Sequence, residues 1–467
     1  MTLARARGRV PSTVPGGAPS IAVVALVIAL GGSAVPAAAS TGAVSPRNAH
    51  ASSSRVPSSA YAIVKAIPVG ASPWAVAVND ADDTVYVTNA GSNSVSVIDG
   101  RTSQVTSTIG VGLAPWGVAV NQTTGTIYVA NTNSNSVSII DGRTQTVTST
   151  IGVGASPQGA AVYDATGAVF VANSGSNSVS VIDGRSGTVT STIGVVGTPF
   201  GVTVNQKTGM VYVVGQGARS SGASGITAPG FMSTINARTG ALVSESAFGV
   251  SPWSVAVHEA DDKVYVTDTW LSTLSAFTGA DVGTWSSVKG NYLPWNVAVN
   301  QATGSAFVSN NGQASTAAPV GLVSIFGGTS LGSSIALGHA IGQAPSVSRG
   351  VAIDQAGLNT GLAYVAALDA NAVDVVARVT PGSAPGSGAE GDTVQISLSV
   401  PHLSPAVALD DTTVASVRFG GIPATSLAPG PGNTWKVTAP QGKGSVPIVV
   451  YFNGGQRAQA GTFMYRS

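Results

Sequence analysis

Four histidines, His50, His258, His339 and His402, are the first residues to test for chemistry. They lie in different zones of the chain, and no two share a spacing that presents paired nitrogens to a zinc ion. His339 falls in an inserted loop and is read as a bystander, the alternative being that His339 or His258 works with an acid in an exported enzyme. Two acidic runs, Asp80, Asp82, Asp83 and Glu259, Asp261, Asp262, could offer carboxylate oxygens to calcium. They lack the regular spacing of a calcium loop and sit where other copies of a repeat carry Gln-Thr-Thr-Gly. No G-x-S-x-G elbow and no phosphate loop is present, and the glycines follow turns. The expectation is a protein that is not an enzyme, with no catalytic residue, no metal ligand and no cofactor.

Recognition has better material than reaction. Prolines recur at Pro73, Pro115, Pro157, Pro199, Pro252 and Pro294, with Ser348 in a seventh slot. The residues that follow them are Trp74, Trp116, Gln158, Phe200, Trp253, Trp295 and Arg349. An aromatic rim with one cation suits stacking on sugars or aromatic groups, so these residues are the candidate ligand-binding set. The same rings could instead wedge between neighbouring elements, and their repetition at equivalent positions favours that packing reading. Gln158 and Arg349 break the pattern and are the stronger functional candidates. Trp270 stands outside the repeat and would extend such a surface.

The elements that must position these side chains are written in a repeat. Val69–Gly194 is one 42-residue unit given three times, beginning VGASPWAVAVNDADDTVYVTNAGSNSVSVIDGRTSQVTSTIG. Four short strand-like runs per copy at that period are the signature of propeller blades. In the first copy the spacing predicts strands at Trp74–Asn79, Thr84–Asn89, Ser94–Ile98 and Gln104–Ile109, with Asp99-Gly100 as a hairpin turn. An aromatic inside a β-branched run recurs at Tyr86, Tyr128, Phe170, Tyr212, Tyr265, Phe307 and Tyr364, so seven units are expected. The seventh lacks a fourth strand. Tyr61–Val69 resembles the missing one and is expected to close the ring beside the last unit, removing an open edge. The predicted fold class is all-β: a seven-bladed β-propeller over residues 61–376, then a β-sandwich over 377–467.

Tyr86-Val87-Thr88-Asn89, Tyr128-Val129-Ala130-Asn131 and Tyr265-Val266-Thr267-Asp268, with Ile98-Asp99-Gly100 and Ile140-Asp141-Gly142, resemble the YVTN β-propeller repeat family. That resemblance implies an exported interaction scaffold rather than a reaction. Beyond Val379 the period stops, and strand-like runs appear at Val394–Val400, Val417–Gly421, Trp435–Pro440, Gly442–Phe452 and Gly461–Tyr465. Phe419-Gly420-Gly421, Pro440-Gln441-Gly442 and Phe463-Met464-Tyr465 resemble an IPT/TIG domain, which implies an immunoglobulin-like sandwich used for adhesion, spacing or docking. Pro401–Thr413 departs from that family, which has a short turn there. Almost no linker separates the two parts, so they are expected to pack together.

Residues 1–39 read as a signal peptide: Arg5, Arg7 and Arg9, an apolar run at Ile21–Leu30 too short to span a bilayer comfortably, and Ala37, Ala38 and Ala39 before the cut. Residues 40–60 form a Ser/Ala/Pro-rich disordered leader. The chain has no cysteine, so an exported product must be stabilised by burial. Charged residues are 9% and the net charge is +1, which argues against electrostatic capture of nucleic acid or an anionic membrane; no nucleic-acid partner and no membrane insertion after signal cleavage are expected. Longer connections within Gly215–Gly230, Asn310–Val320 and His339–Val347 fall on one face, and a small one near Gly357–Gly361 on the other. Long loops on one face of a rigid scaffold suit binding. The expected function is a secreted or cell-wall-associated binding protein whose partner is an extracellular ligand, a glycan or a cell-envelope protein. The alternatives are an exported lactonase or lyase and a purely structural envelope protein.

Overall fold

The computed structural model describes residues 56–217, 228–279, 286–289, 293–311, 321–327, 330–336, 347–355, 361–384, 386–401, 403, 407–453 and 455–466. The signal segment, most of the leader, the bulk of the long connections, and His50, His339 and His402 lie outside these residues. Apart from one 3-10 turn at Thr132–Ser134, the regular structure described is all strand.

After β1 (Ala60–Pro68), the first repeat folds as β2 (Pro73–Asn79), β3 (Thr84–Asn89), β4 (Ser94–Asp99) and β5 (Gln104–Gly110), an antiparallel sheet in that order. Side-chain burial follows composition. The β-branched and aromatic runs of β3 and β4 are buried on both faces, because their sheet lies between two others. The Thr- and Ser-rich β5 is the exposed outer edge. Five more sheets repeat this four-strand order through Ala336. Their first strands, Pro115–Val120, Pro157–Tyr163, Thr198–Asn205, Pro252–His258 and Leu293–Val299, neighbour one another in chain order. Ser348–Ile353 follows them and returns against β2, so the first strands close a circle.

The closing unit is assembled from both ends of the repeat region. Ser348–Ile353 pairs with Ala363–Ala367, which pairs with Ala372–Ala384. β1 adds itself antiparallel to this last strand, from Ala60 opposite Val379 to Pro68 opposite Ala372. The pairing expected of the chain's early segment is therefore present, and the edge that would invite association is covered.

A second circle, of hydrogen bonds, runs round the far ends of the first strands. The backbone N–H of Asp80 donates to Gln122, Gln122 to Asp164, Asp164 to Gln206, Gln206 to Glu259, Glu259 to Gln301, Gln301 to Gln355 and Gln355 back to Asp80, at 2.8–3.3 Å. The glutamine amides also donate backwards, to Val78, Val162, Val257 and Val299 carbonyls. Each side chain thus ties its sheet to the preceding one. The two acidic runs are thereby drawn apart. Asp80 and Glu259 belong to the girdle, Asp82 and Asp261 cap turns, and Asp83 and Asp262 enter the seams between sheets.

Asp262 shows what a seam aspartate does. Its Oδ1 accepts from Asn205 Nδ2 at 2.6 Å and from the Tyr212 hydroxyl at 3.1 Å, both on the preceding sheet. At the closing seam the equivalent residues are Asp83, Asp354 and Tyr364. Here an aspartate stands where the other seam has its asparagine. Asp83 Oδ2 meets Arg101 Nε at 3.3 Å, while Asp83 Oδ1 and the Tyr364 hydroxyl are buried without a hydrogen bond.

Ala372–Ala384 continues without a break past the expected boundary at residue 376. Its second half pairs with Thr393–Ser399, which pairs in turn with Thr434–Thr438. A second sheet joins Val414–Phe419, Ser445–Phe452 and Arg457–Tyr465. Trp435, Phe419, Phe452 and Phe463 are buried in the same apolar cluster as Val64, Tyr364 and Val375 of the closing unit. Both parts therefore share one core. The Lys65–Asp410 ion pair at 2.9 Å and the Ala66 N–H to Asp410 bond at 2.8 Å add polar links across the junction. Nearby, Asp374 is buried, and burial first, then the charge of Asp410, pushes its carboxyl up to about 7.

Candidate functional site

Each first strand begins with an irregularity. Pro73 pairs with Asn89, but the next register partner is Val76 with Val87, so Trp74 and Ala75 oppose Thr88 alone. The same shift follows Pro115, Pro157, Pro199, Pro252, Pro294 and Ser348. A bulge re-aims the side chains it carries. Here it turns the residue after each proline toward the mouth of the central channel. Hydroxyls lock several bulges in place. Thr88 Oγ1 accepts from Ala75 N and donates to the Trp116 carbonyl on the next sheet, both at 3.0 Å. Thr267 does the same for Ser254 and Trp295, and Ser309 for Asn296 and Arg349.

The rings meet around the mouth. Trp74 and Trp116 stack with centroids 4.1 Å apart and planes at 19°. Phe200 and Trp253 stack at 4.2 Å and 17°. Trp295 meets Trp253 edge-on at 4.5 Å. The Arg349 guanidinium closes the remaining step, lying 4.0 Å from the Trp295 ring and 4.8 Å from the Trp74 ring. Phe200, Trp253, Trp295, Arg349, Trp74 and Trp116 thus form an arc of continuous contact. Gln158 occupies the gap, with its amide donated to Ser174 at 3.1 Å. All seven side chains are half-buried. Trp270 is not among them. It lies on the turn between Lys263–Asp268 and Thr273–Thr278 and is 64% exposed.

Below the arc lies a cavity of about 190 Å³. Its rim is Trp74, Trp116, Gln158, Phe200 and Trp253, and its wall is Val76, Val118, Ala160, Val202, Val255 and Val297 with glycines between. Among the described residues the wall carries no charged side chain. The glycines serve packing: a Cβ on Gly350 would sit 2.8 Å from the Trp74 carbonyl and 2.6 Å from Ala75 Cα.

Arg349 is the one charge in the arc. Asn311 Oδ1 accepts from its Nη1 at 2.9 Å and also from Trp295 Nε1, while Asn311 Nδ2 donates to the Ser348 carbonyl at 3.1 Å. Burial pulls the guanidinium down to about 10, against a smaller opposing effect of Asp369, so it remains a cation at neutral pH. Its Nε is buried without an acceptor.

Sequence reasoning placed the arc residues at the strand starts but missed three contributors: the bulge, Asn311 and the hydroxyls of Thr88, Thr267 and Ser309. The hydroxyl position had a visible signal, because Thr or Ser appears there in only some copies.

A family model for the NHL repeat, a β-propeller repeat, matches residues 114–140, which carry the first three strands of one sheet. No curated protein matches the sequence. Among solved structures, a chain of Kuenenia stuttgartiensis hydrazine synthase superposes with a TM-score of 0.54 at 17% identity, over 65% of this chain and 95% of that one. At such identity the likeness speaks for the fold, which is of the β-propeller type.

Proposed function

We propose that this is a non-catalytic binding protein, a seven-bladed propeller of the YVTN kind that recognises a ring-bearing extracellular ligand at the aromatic mouth. The observation that carries the reading is the arc of five stacked or edge-packed aromatic rings and one arginine over a charge-free cavity. Such rings present flat faces and a cation to sugars or aromatic groups, and among the described residues they hold no acid–base pair that could turn a substrate over. Exposed apolar side chains at Leu113, Val196, Trp270, Leu271 and Leu293 on the turns of the same face extend the surface. A secreted or cell-wall location, with signal cleavage near residue 39, follows from the amino-terminal pattern. The C-terminal pair of sheets is assigned as an IPT/TIG-like module that docks the propeller to its surroundings.

The test is a glycan and small-aromatic array probed with the wild type and with a Trp74→Ala, Trp116→Ala double variant. Specific binding that drops at least tenfold in the variant supports the reading. Identical binding by the two proteins, or turnover of a lactone or polysaccharide without any added component, removes it.

A further inference from the structure

The arc treats its single cation in an unusual way. Arg349 stands where six other first strands place Trp, Phe or Gln, so its charge is a departure of this unit and not a demand of the scaffold. Its guanidinium is clamped between two indole rings and oriented by Asn311. Among the described residues no carboxylate lies within ion-pair distance of it; the ion pairs there are Lys65–Asp410, Arg101–Asp83 and His258–Asp261. A guanidinium has five N–H donors in a fixed fork, and one of those is accepted by Asn311. Nε is buried and unaccepted. A desolvated donor left without an acceptor is costly, more so on a charged group. An oxyanion arriving at the terminal Nη edge of the fork would give this cation, which has no ion pair among the described residues, charge-assisted bonds.

We propose that the mouth selects ligands that carry a carboxylate on a ring, with Arg349 as the residue that reads the carboxylate. The proposal rests on the mouth being the binding site argued above and adds the ligand's charge to it. The roles divide by geometry. The Trp74–Trp116 stack and the Phe200–Trp253 stack flank the open gap at Gln158 and receive the ring. The cation lies across the mouth, 4.0 Å from the Trp295 ring and 4.8 Å from the Trp74 ring, whose planes stand at 82°, and faces the carboxylate. Trp295 and Asn311 are positioning residues, since they orient the guanidinium. Among the described residues the cavity wall carries no charge, and Asp369, which acts on the guanidinium, is outside ion-pair distance, so discrimination between an acid and its uncharged isostere falls to Arg349.

Two matched pairs of probes test it by calorimetric titration and tryptophan fluorescence: benzoate against benzamide, and glucuronate against glucose. The wild type is expected to bind at least one acid tenfold or more tightly than its neutral partner, and which pair responds identifies an aromatic or a sugar ring. Arg349→Gln is expected to level that pair, the acid's tenfold advantage over its neutral partner being lost. Arg349→Lys restores the preference only in part, because an ammonium is a point charge and not a fork. Gln158→Trp, which fills the gap, should abolish binding of every probe, with thermal unfolding as the check on folding. If neutral and acidic partners bind equally, or Arg349→Gln keeps the preference, the carboxylate assignment fails while the mouth stands. If no probe binds the wild type, both fail. If binding survives Gln158→Trp unchanged in a folded protein, the mouth itself is the wrong site.

Discussion

At the scale of residues, the mouth depends on small side chains as much as on rings. Glycine follows four of the mouth positions, at Gly117, Gly159, Gly201 and Gly350, and at each a Cβ would meet the backbone of the next sheet. At Gly350 a methyl group would collide with Trp74 O and Ala75 Cα, which are backbone atoms with little room to yield. Gly350→Ala is therefore expected to cost about 1–3 kcal/mol, the range for overpacking a tight contact, read as a lowered urea midpoint. An unchanged midpoint would show that this seam is looser than its distances imply. Arg349, by contrast, adds little to folding, because a clamped cation without an ion pair offsets its stacking gain with lost hydration.

At the scale of elements, the seams carry the polar design. Asp262, Asn205 and Tyr212 satisfy one another between two sheets. The closing seam carries Asp354 at the position of that asparagine, with Asp83 and Tyr364 at the positions of the other two. Burial first, then the charges of Asp354, Asp83 and Asp99, raises the Tyr364 hydroxyl. By equivalence with Asn205, which donates to Asp262, Asp354→Asn would offer an amide donor to Asp83 Oδ1, which has no hydrogen bond. It is expected to stabilise the protein by about 1 kcal/mol, one net hydrogen bond, seen as a higher unfolding midpoint at neutral pH. A lower midpoint would mean that Asp354 does work at this seam that an amide cannot replace.

For the whole molecule, the decisive feature is that one strand serves two parts. Ala372–Ala384 closes the propeller with its first half and opens the C-terminal sheets with its second. Asp374 lies in the shared region, so its ionisation reports on folding of the whole. Its carboxyl is raised from 3.8 to about 7. Between those values the folded protein holds a proton that the unfolded chain has lost. The stabilisation is therefore complete below pH 4, declines as pH rises and is gone above 7. The decline amounts to about 1.4 kcal/mol per pH unit, one proton's linkage. Asp374→Asn should flatten this slope, so the two proteins differ in the pH dependence of their melting temperature between 4 and 7. Parallel profiles would locate the titration elsewhere.

Strand positions, the unit length, the early strand that completes the last sheet and the ring of residues after the prolines could all be read from the sequence. Each depends on local periodicity that recurs at 42 residues. The girdle was half legible: an oxygen-bearing side chain follows the end of every first strand, from Asp80 to Gln355, yet it reads as turn chemistry until its neighbour is known. The bulges were not legible, because a one-residue register slip leaves no mark in a pattern of small and apolar residues. Nor was the clamp on Arg349, whose partners Trp74 and Asn311 lie 275 and 38 positions away. Sequence alone determined which residues would ring the channel, since repetition writes equivalent places in equivalent words. Only tertiary structure decided that they touch, that Gln158 leaves the gap and that the cation sits between two indoles, because those facts arise from closing a circle and no single repeat contains a circle.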